Sequence, residues 1–165
     1  MKHDILITGY GGFIAGAIAK NIINSGEYET VISIDDFSTG YKESLHNKIK
    51  SYQGDCSNKD LIEKVFKAHN IKTVLHFAAQ SSGEISFDDP EKDLKTNTLS
   101  TLHLLDCSVK FKVKNFMFAS TMSVYGDKNE CVSEESKCSP KSFYGVGKLA
   151  SERYIQIYKD LYNLN

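Results

Sequence analysis

The sequence has 165 residues, 41% of them hydrophobic and 25% charged, with a formal net charge of −1. A chain of this size buries about 68–70% of its unfolded surface and makes one ordinary soluble domain, and its near-zero charge excludes the basic footprint of a nucleic-acid binder. Two prolines and no low-complexity tract exclude a disordered or repeat chain, and no run of about 18 apolar residues offers a membrane span.

The first twenty residues combine Lys2 and His3 with an apolar stretch from Ile5 to Ala19. Asp4, Thr8, Gly9, Gly11, Gly12 and Gly16 interrupt that stretch, so it reads as the start of a cytoplasmic fold and not as a cleaved leader. Cys56, Cys107, Cys131 and Cys138 have no C-x-x-C pairing, which predicts reduced thiols with no disulfide frame and no metal site.

In chain order, strands are predicted over Asp4–Thr8, Thr30–Ile34, Lys50–Gln53, Thr73–Phe77 and Asn115–Ala119, each nearly continuous in apolar character, as when both faces of a parallel sheet are covered. Helices are predicted over Gly12–Ser25, Asn58–His69, Pro90–Val109 and Phe143–Tyr162. This alternation predicts an α/β fold with right-handed crossovers: a doubly wound parallel sheet, Rossmann-like, with ligands beyond the carboxyl ends of its strands. On the third helix Leu94, Thr98, Thr101, Leu102, Leu105 and Val109 share one face, and Asn97 lies at its edge, where a half-buried amide needs partners. Gly126 to Lys141 has no period and reads as a long functional loop before the last helix.

The run from Ile5 to Ala15 is a strand, a glycine-rich turn and a helix start. Gly9 permits the tight turn, Gly12 lets backbone approach a pyrophosphate, and Ala15 fills the small-residue position between helix and strand. The helix start supplies free N–H groups and partial positive charge. No Gly-Lys-Ser/Thr follows, so a mononucleotide P-loop is excluded. The second strand ends at Asp35-Asp36, 26 residues beyond Gly9, where a ribose-binding carboxylate is expected. Two carboxylates there repel a 2′-phosphate, which favours NAD over NADP. The alternative is a solvated turn.

Tyr144 and Lys148 stand at i and i+4, neighbours on one helix face. A cation beside a phenol favours the phenolate, and the positive nicotinamide adds to that, so Tyr144 can take a proton from a sugar hydroxyl. Nine tyrosines and nineteen lysines give about one such pair by chance, so the pair alone carries little. A third element follows the fifth strand, where Ser120, Thr121 and Ser123 form a hydroxyl cluster. Thr121 there could bind the reacting hydroxyl, or the cluster could simply satisfy its own backbone.

Thr8-Gly9-Tyr10-Gly11-Gly12-Phe13-Ile14, Asp35, Gly54-Asp55, His76-Phe77-Ala78-Ala79-Gln80, Asn97, the run Ser120 to Gly126, and Tyr144 with Lys148 occur in order along the whole chain. In this the chain resembles the extended short-chain dehydrogenases/reductases, the NAD-dependent nucleotide-sugar epimerases and dehydratases. The resemblance implies Thr121, Tyr144 and Lys148 as catalytic. It implies Gly9, Gly12, Phe13, Ile14, Asp35, Asp36, Asp55, Cys56, Phe77, Ala78, Ala79, Asn97, Ser120, Tyr144 and Lys148 around NAD, with His76 a structural residue of the fourth strand. In members that eliminate water or decarboxylate, an acid follows the catalytic threonine; Met122 and Ser123 stand here, which resembles the C4-epimerases. A nucleotide-sugar substrate, UDP-linked, a cytoplasmic location and a homodimer through the third and last helices are implied in the same way. Residues 1–165 then form an incomplete NAD-binding domain, cut before the substrate domain and its next strand, with little turnover expected. The alternatives are a dehydratase, decarboxylase or reductase of the same family, and a dinucleotide-binding module without chemistry.

Overall fold

The computed structural model describes residues 2–41 and 46–165. Five parallel strands, β1 (Asp4–Thr8), β2 (Val31–Asp35), β3 (Ile49–Gln53), β4 (Ile71–His76) and β5 (Asn115–Phe118), form one sheet in the order β3-β2-β1-β4-β5. Leu6 pairs in register with Ile32 on one side and Val74 on the other. Side chains alternate between the two faces of a strand, and both faces are covered at β1, β2 and β4. The edge strands β3 and β5, expected covered as well, are largely exposed or half-buried because each has a neighbouring strand on one side only. Leu6, Ile32, Ile34 and Val74 pack with Ile62, Val65 and Phe66 of α2 (Lys59–Ala68) and with Leu104 and Leu105 of a later helix. Ile5, Ile7, Val31 and Leu75 pack with Ala15 and Ala19 of α1 (Phe13–Ser25). Each fully buried leucine or isoleucine contributes about 1.5–3 kcal/mol relative to exposure, so the uninterrupted apolar strands are what folding buries.

The order reverses at β1. After β3 the chain crosses through α2 to β4 on the other side of β1, which opens a crevice outside the carboxyl ends of β1 and β4, the place where such sheets take ligands.

The third predicted helix is broken. A short α3 (Ile85–Asp88), not predicted, precedes it; the predicted span itself begins as α4 (Pro90–Leu94), passes through a π-turn at Lys95–Leu99, and continues as α5 (Ser100–Lys110). The Ser100 N–H donates to the Lys95 carbonyl, five residues back, and the extra residue in that turn shifts the phase of the face. Thr98, Thr101 and Leu105 are buried as expected, and Leu102 and Val109 half-buried. Leu94, before the turn, was expected inside and is 56% exposed; Asp93 takes the inward position. Asn97, expected half-buried, is 1% exposed.

A short 3₁₀ turn, Met122–Tyr125, follows β5, and α6 (Phe143–Tyr162) closes the described chain. The outer edge of β5, expected bare, is partly paired. The Phe116 N–H donates to the Asn165 carbonyl at 2.7 Å, and the Asn165 N–H donates to the Lys114 carbonyl at 3.2 Å. Leu164 is buried beside them. Two residues are too few to show a strand period in sequence.

Candidate active site

The crevice is built from four loops at the carboxyl ends of the strands. Gly9 adopts φ +73°, and a Cβ there would stand 2.7 Å from the Ala78 backbone nitrogen, so only glycine lets the turn after β1 lie against the loop after β4. Gly12 caps α1, whose opening residues Phe13 and Ile14 are 93% and 61% exposed. That leaves the amino end of a thirteen-residue helix open toward the crevice. Asp35 is buried at the end of β2. Its Oδ2 accepts from the Gly11 N–H at 2.8 Å and its Oδ1 from the Phe37 N–H at 2.7 Å. The carboxylate thus braces the glycine turn and keeps lone pairs for hydroxyl donors.

Asp36 is exposed and accepts from the Ser38 N–H at 2.9 Å, a local turn that leaves its charge at the rim. Asp55, after β3, is exposed and accepts from the Ser57 N–H. Cys56 follows Asp55 beside the ends of β2 and β3, near Asp35 and Asp36. Its side chain lies in the core with Leu6 and Ile32, where burial pushes the thiol well above its ordinary range. Phe77, Ala78 and Ala79 follow β4, with the backbone of Phe77 and Ala78 against Gly9.

A hydrogen-bond chain under the crevice orients these loops. Thr8 Oγ1 accepts from the N–H groups of Phe77 at 3.1 Å and Ala78 at 3.0 Å. Its own proton therefore goes to His76 Nδ1, 2.7 Å away. His76 must then carry its proton on Nε2, which reaches Thr101 Oγ1 at 3.1 Å, and the Thr101 hydroxyl donates to the Asn97 carbonyl at 2.9 Å. Every donor in the chain has an acceptor only while the imidazole is neutral. Burial, with the Lys148 charge second, holds its pKa down at about 3. His76 is the structural residue of the fourth strand that the sequence led one to expect.

Across the crevice, Ser142 caps α6 by accepting from the Gly145 N–H at 3.1 Å. A Cβ on Gly145 would stand 2.7 Å from the Ser123 carbonyl oxygen, so the first turn of α6 lies directly on the 3₁₀ turn. Thr121 caps that turn; its Oγ1 accepts from the Ser123 N–H at 3.2 Å and donates to Ser123 Oγ at 3.3 Å. Tyr144 and Lys148 follow one turn apart, 8% and 2% exposed. The Lys148 ammonium sits 4.0 Å from the centroid of the Phe118 ring, a cation–π contact that tolerates partial dehydration. Burial lowers the Lys148 pKa to about 8, while Glu152 and then Asp93 pull it upward. The Ser120 hydroxyl donates to the Glu152 carboxylate and is itself exposed, so it tethers a neighbour of Lys148.

The fold gathers Thr121, Tyr144 and Lys148 around one contact between α6 and the end of β5, with the glycine turn, Asp35 and Ala78 at the neighbouring strand ends. Phe118, Glu152 and Asp93 help hold this arrangement without a signal in the sequence, and Thr8 and Gln80, present there only as parts of motifs, take their roles from partners across the fold. Asn97 Nδ2 donates to the Gln80 carbonyl at 3.1 Å and to Asp93 Oδ1 at 2.8 Å. The Thr98 hydroxyl donates to the Gly147 carbonyl at 3.1 Å, and the Ser151 hydroxyl to the Asn97 carbonyl at 2.9 Å. The π-turn is thereby stitched to α6 by polar groups that no apolar period reports.

The NAD dependent epimerase/dehydratase family matches residues 5–165. A UDP-glucose 4-epimerase of Streptococcus mutans is 33% identical over 150 residues, 90% of this chain and 45% of that protein. The crystal structure of a UDP-glucose 4-epimerase of Thermotoga maritima with UDP-glucose superposes with a TM-score of 0.93 at 35% identity, covering 98% of this chain and 52% of that one. That of the Thermus thermophilus UDP-glucose 4-epimerase with NAD gives 0.92 at 32%, with the same coverage of 98% and 52%. The chain spans about half the length of the relatives it matches. With its sheet order, glycine turn and tyrosine–lysine helix all in place, the chain belongs to the NAD dependent epimerase/dehydratase family.

Proposed function

We propose that the chain binds NAD and supplies the acid–base groups for inversion at C4 of a UDP-linked sugar, in the cytoplasm and as a homodimer. The observation that carries the reading is the buried Lys148 ammonium one turn from Tyr144, on a helix packed against the Thr121 turn. The residues present fit a dinucleotide. The open end of α1 suits a diphosphate, Asp35 retains lone pairs for ribose hydroxyls, and Asp36 adds a second negative charge against a 2′-phosphate.

When bound, NAD would accept a hydride from C4 and return it to the opposite face of the sugar. The protein's part is proton transfer and orientation. Lys148 stabilises the Tyr144 phenolate, Tyr144 takes the C4 hydroxyl proton and later gives it back, and Thr121 hydrogen-bonds the same hydroxyl. Neither Met122 nor Ser123 can act as an acid near neutrality, which favours inversion over elimination of water. For the homodimer, Phe143, Val146, Ile157 and Leu161 leave apolar surface exposed along α6.

Little turnover is expected of a chain half the length of its relatives. The test therefore loads the protein with NAD at high concentration, adds UDP-glucose in equimolar amount and follows formation of the C4 epimer by proton NMR over long incubation, beside Tyr144→Phe. The expected result is NAD retained by both proteins and conversion lost in the variant. Failure to bind NAD, or conversion untouched by the change, refutes the reading.

A further inference from the structure

Asp93 is a titratable group that the chemistry above does not use, and it is buried at 1% exposure between the exposed Lys92 and Leu94. A carboxylate on a surface helix reaches water at no cost, whereas burying it is costly unless it is paired. Half of its pairing is accounted for. Asp93 Oδ1 accepts from Asn97 Nδ2 at 2.8 Å and from Gln80 Nε2 at 3.3 Å. Its Oδ2 is buried and has no hydrogen-bond partner, as is Asn97 Oδ1.

On that side of Asp93 lies α6. A Cβ on Gly147 would stand 3.5 Å from Asp93 Oδ2, and Gly147 directly precedes Lys148. Among the described residues Lys148 makes no ion pair within 4.0 Å, and the ring face of Phe118 supplies its close contact. A buried ammonium and a buried carboxylate thus share the contact between α4 and α6, each without a direct ionic partner.

We propose that Asp93 is the buried counter-charge of the Lys148 ammonium and, through Oδ1, the positioning residue that orients Asn97 and the Gln80 loop after β4. The electrostatics run the same way. Burial drives Lys148 toward the neutral amine, and Glu152 on its own helix and Asp93 across the contact oppose that. Burial raises the Asp93 carboxyl, and the Asn97 amide followed by Lys148 draws it back. His76, the titratable group beside Lys148 on the sheet side, stays neutral. Asp89, Glu91 and Lys92 on the Asp93 side are exposed to water and screened. The role in catalysis rests on the function proposed above, but the coupling itself does not.

The experiment therefore uses the chain without NAD. Lys148 and Asp93 are followed by carbon-13 NMR of their side chains across pH, with amide spectra verifying the fold. Asp93→Asn should lower the Lys148 midpoint by about 1 unit and shift the Asn97 side-chain amide signal. Because coupling is reciprocal, Lys148→Met should raise the Asp93 midpoint by a similar amount. An unchanged Lys148 midpoint in folded Asp93→Asn overturns the proposal. Should that variant not fold, an unchanged Asp93 midpoint in Lys148→Met overturns it instead. A chain that shows the coupling but binds no NAD refutes the proposed function and leaves this inference standing.

Discussion

Acid should destabilise this fold through His76 before it titrates most carboxylates. The imidazole lies under the crevice with both nitrogens engaged, Nδ1 accepting from Thr8 and Nε2 donating to Thr101. Protonation would put a second N–H against the Thr8 hydroxyl, which already receives the Phe77 and Ala78 amides. Burial accordingly depresses the pKa from 6.5 to about 3. In the unfolded chain the ring takes a proton as pH falls through 6.5, while the folded ring refuses it until about 3. Within that window the unfolded state binds more protons, so stability falls with pH by up to about 1.4 kcal/mol per unit. By about pH 4 the loss from this residue reaches about 3 kcal/mol, a large part of a domain's total of about 5–15 kcal/mol. Above pH 6.5 the contribution is fully present. Urea unfolding of the wild type and of His76→Gln across this range isolates the effect, since the other groups are common to both. The wild type should lose stability more steeply than the variant between about pH 6.5 and 4. Parallel curves, or an imidazole that titrates near its ordinary value in the folded protein, would refute the reasoning.

Three substitutions test the rest of the site. Gly9→Ala puts a Cβ 2.7 Å from the Ala78 nitrogen at φ +73°; it should cost about 1–3 kcal/mol in thermal unfolding and weaken NAD binding. Asp35→Asn replaces an acceptor of two backbone N–H groups by an amide that can turn only one oxygen to them; about 1–3 kcal/mol of stability should go, with a weaker NAD titration. Lys148→Met removes an ammonium held in a buried position but leaves Asp93 without its counter-charge, so its readout is the pH dependence of stability and not the value at neutral pH. The native Lys148 gives up its proton near pH 8 against 10.5 when unfolded. The wild type therefore gains stability as pH rises from 8 toward 10.5, and the variant shows no such rise.

The sheet is legible in the sequence because both its faces are buried: β1, β2 and most of β4 are apolar or small at nearly every position, whichever face they serve. The glycine turn, Asp35 and the Tyr144–Lys148 pair are legible because their spacing follows directly from strand end and helix pitch. The π-turn is not legible, since one extra residue moves Leu94 out and Asp93 in without altering composition. Thr8, Thr101, Gln80 and Asp93 stand in predicted elements or motifs, but their roles are hidden. A buried polar side chain is explained by the partner that satisfies it, and partners such as Ala78 for Thr8, His76 for Thr101 and Asp93 for Gln80 lie 13 to 70 residues away in sequence. Cys56, implied beside the cofactor, has its side chain in the core, so a backbone motif carried it there and not its thiol.

The central claim is that the crevice at the carboxyl ends of β1 and β4 receives NAD next to Tyr144 and Lys148. Amide NMR of the chain titrated with NAD tests it most directly. Saturable shifts concentrated at Gly9–Ile14, Asp35, Ala78 and the first turn of α6, and weakened in Gly9→Ala, are the predicted result. No shifts, or shifts gathered on the outer face of α2, would contradict it.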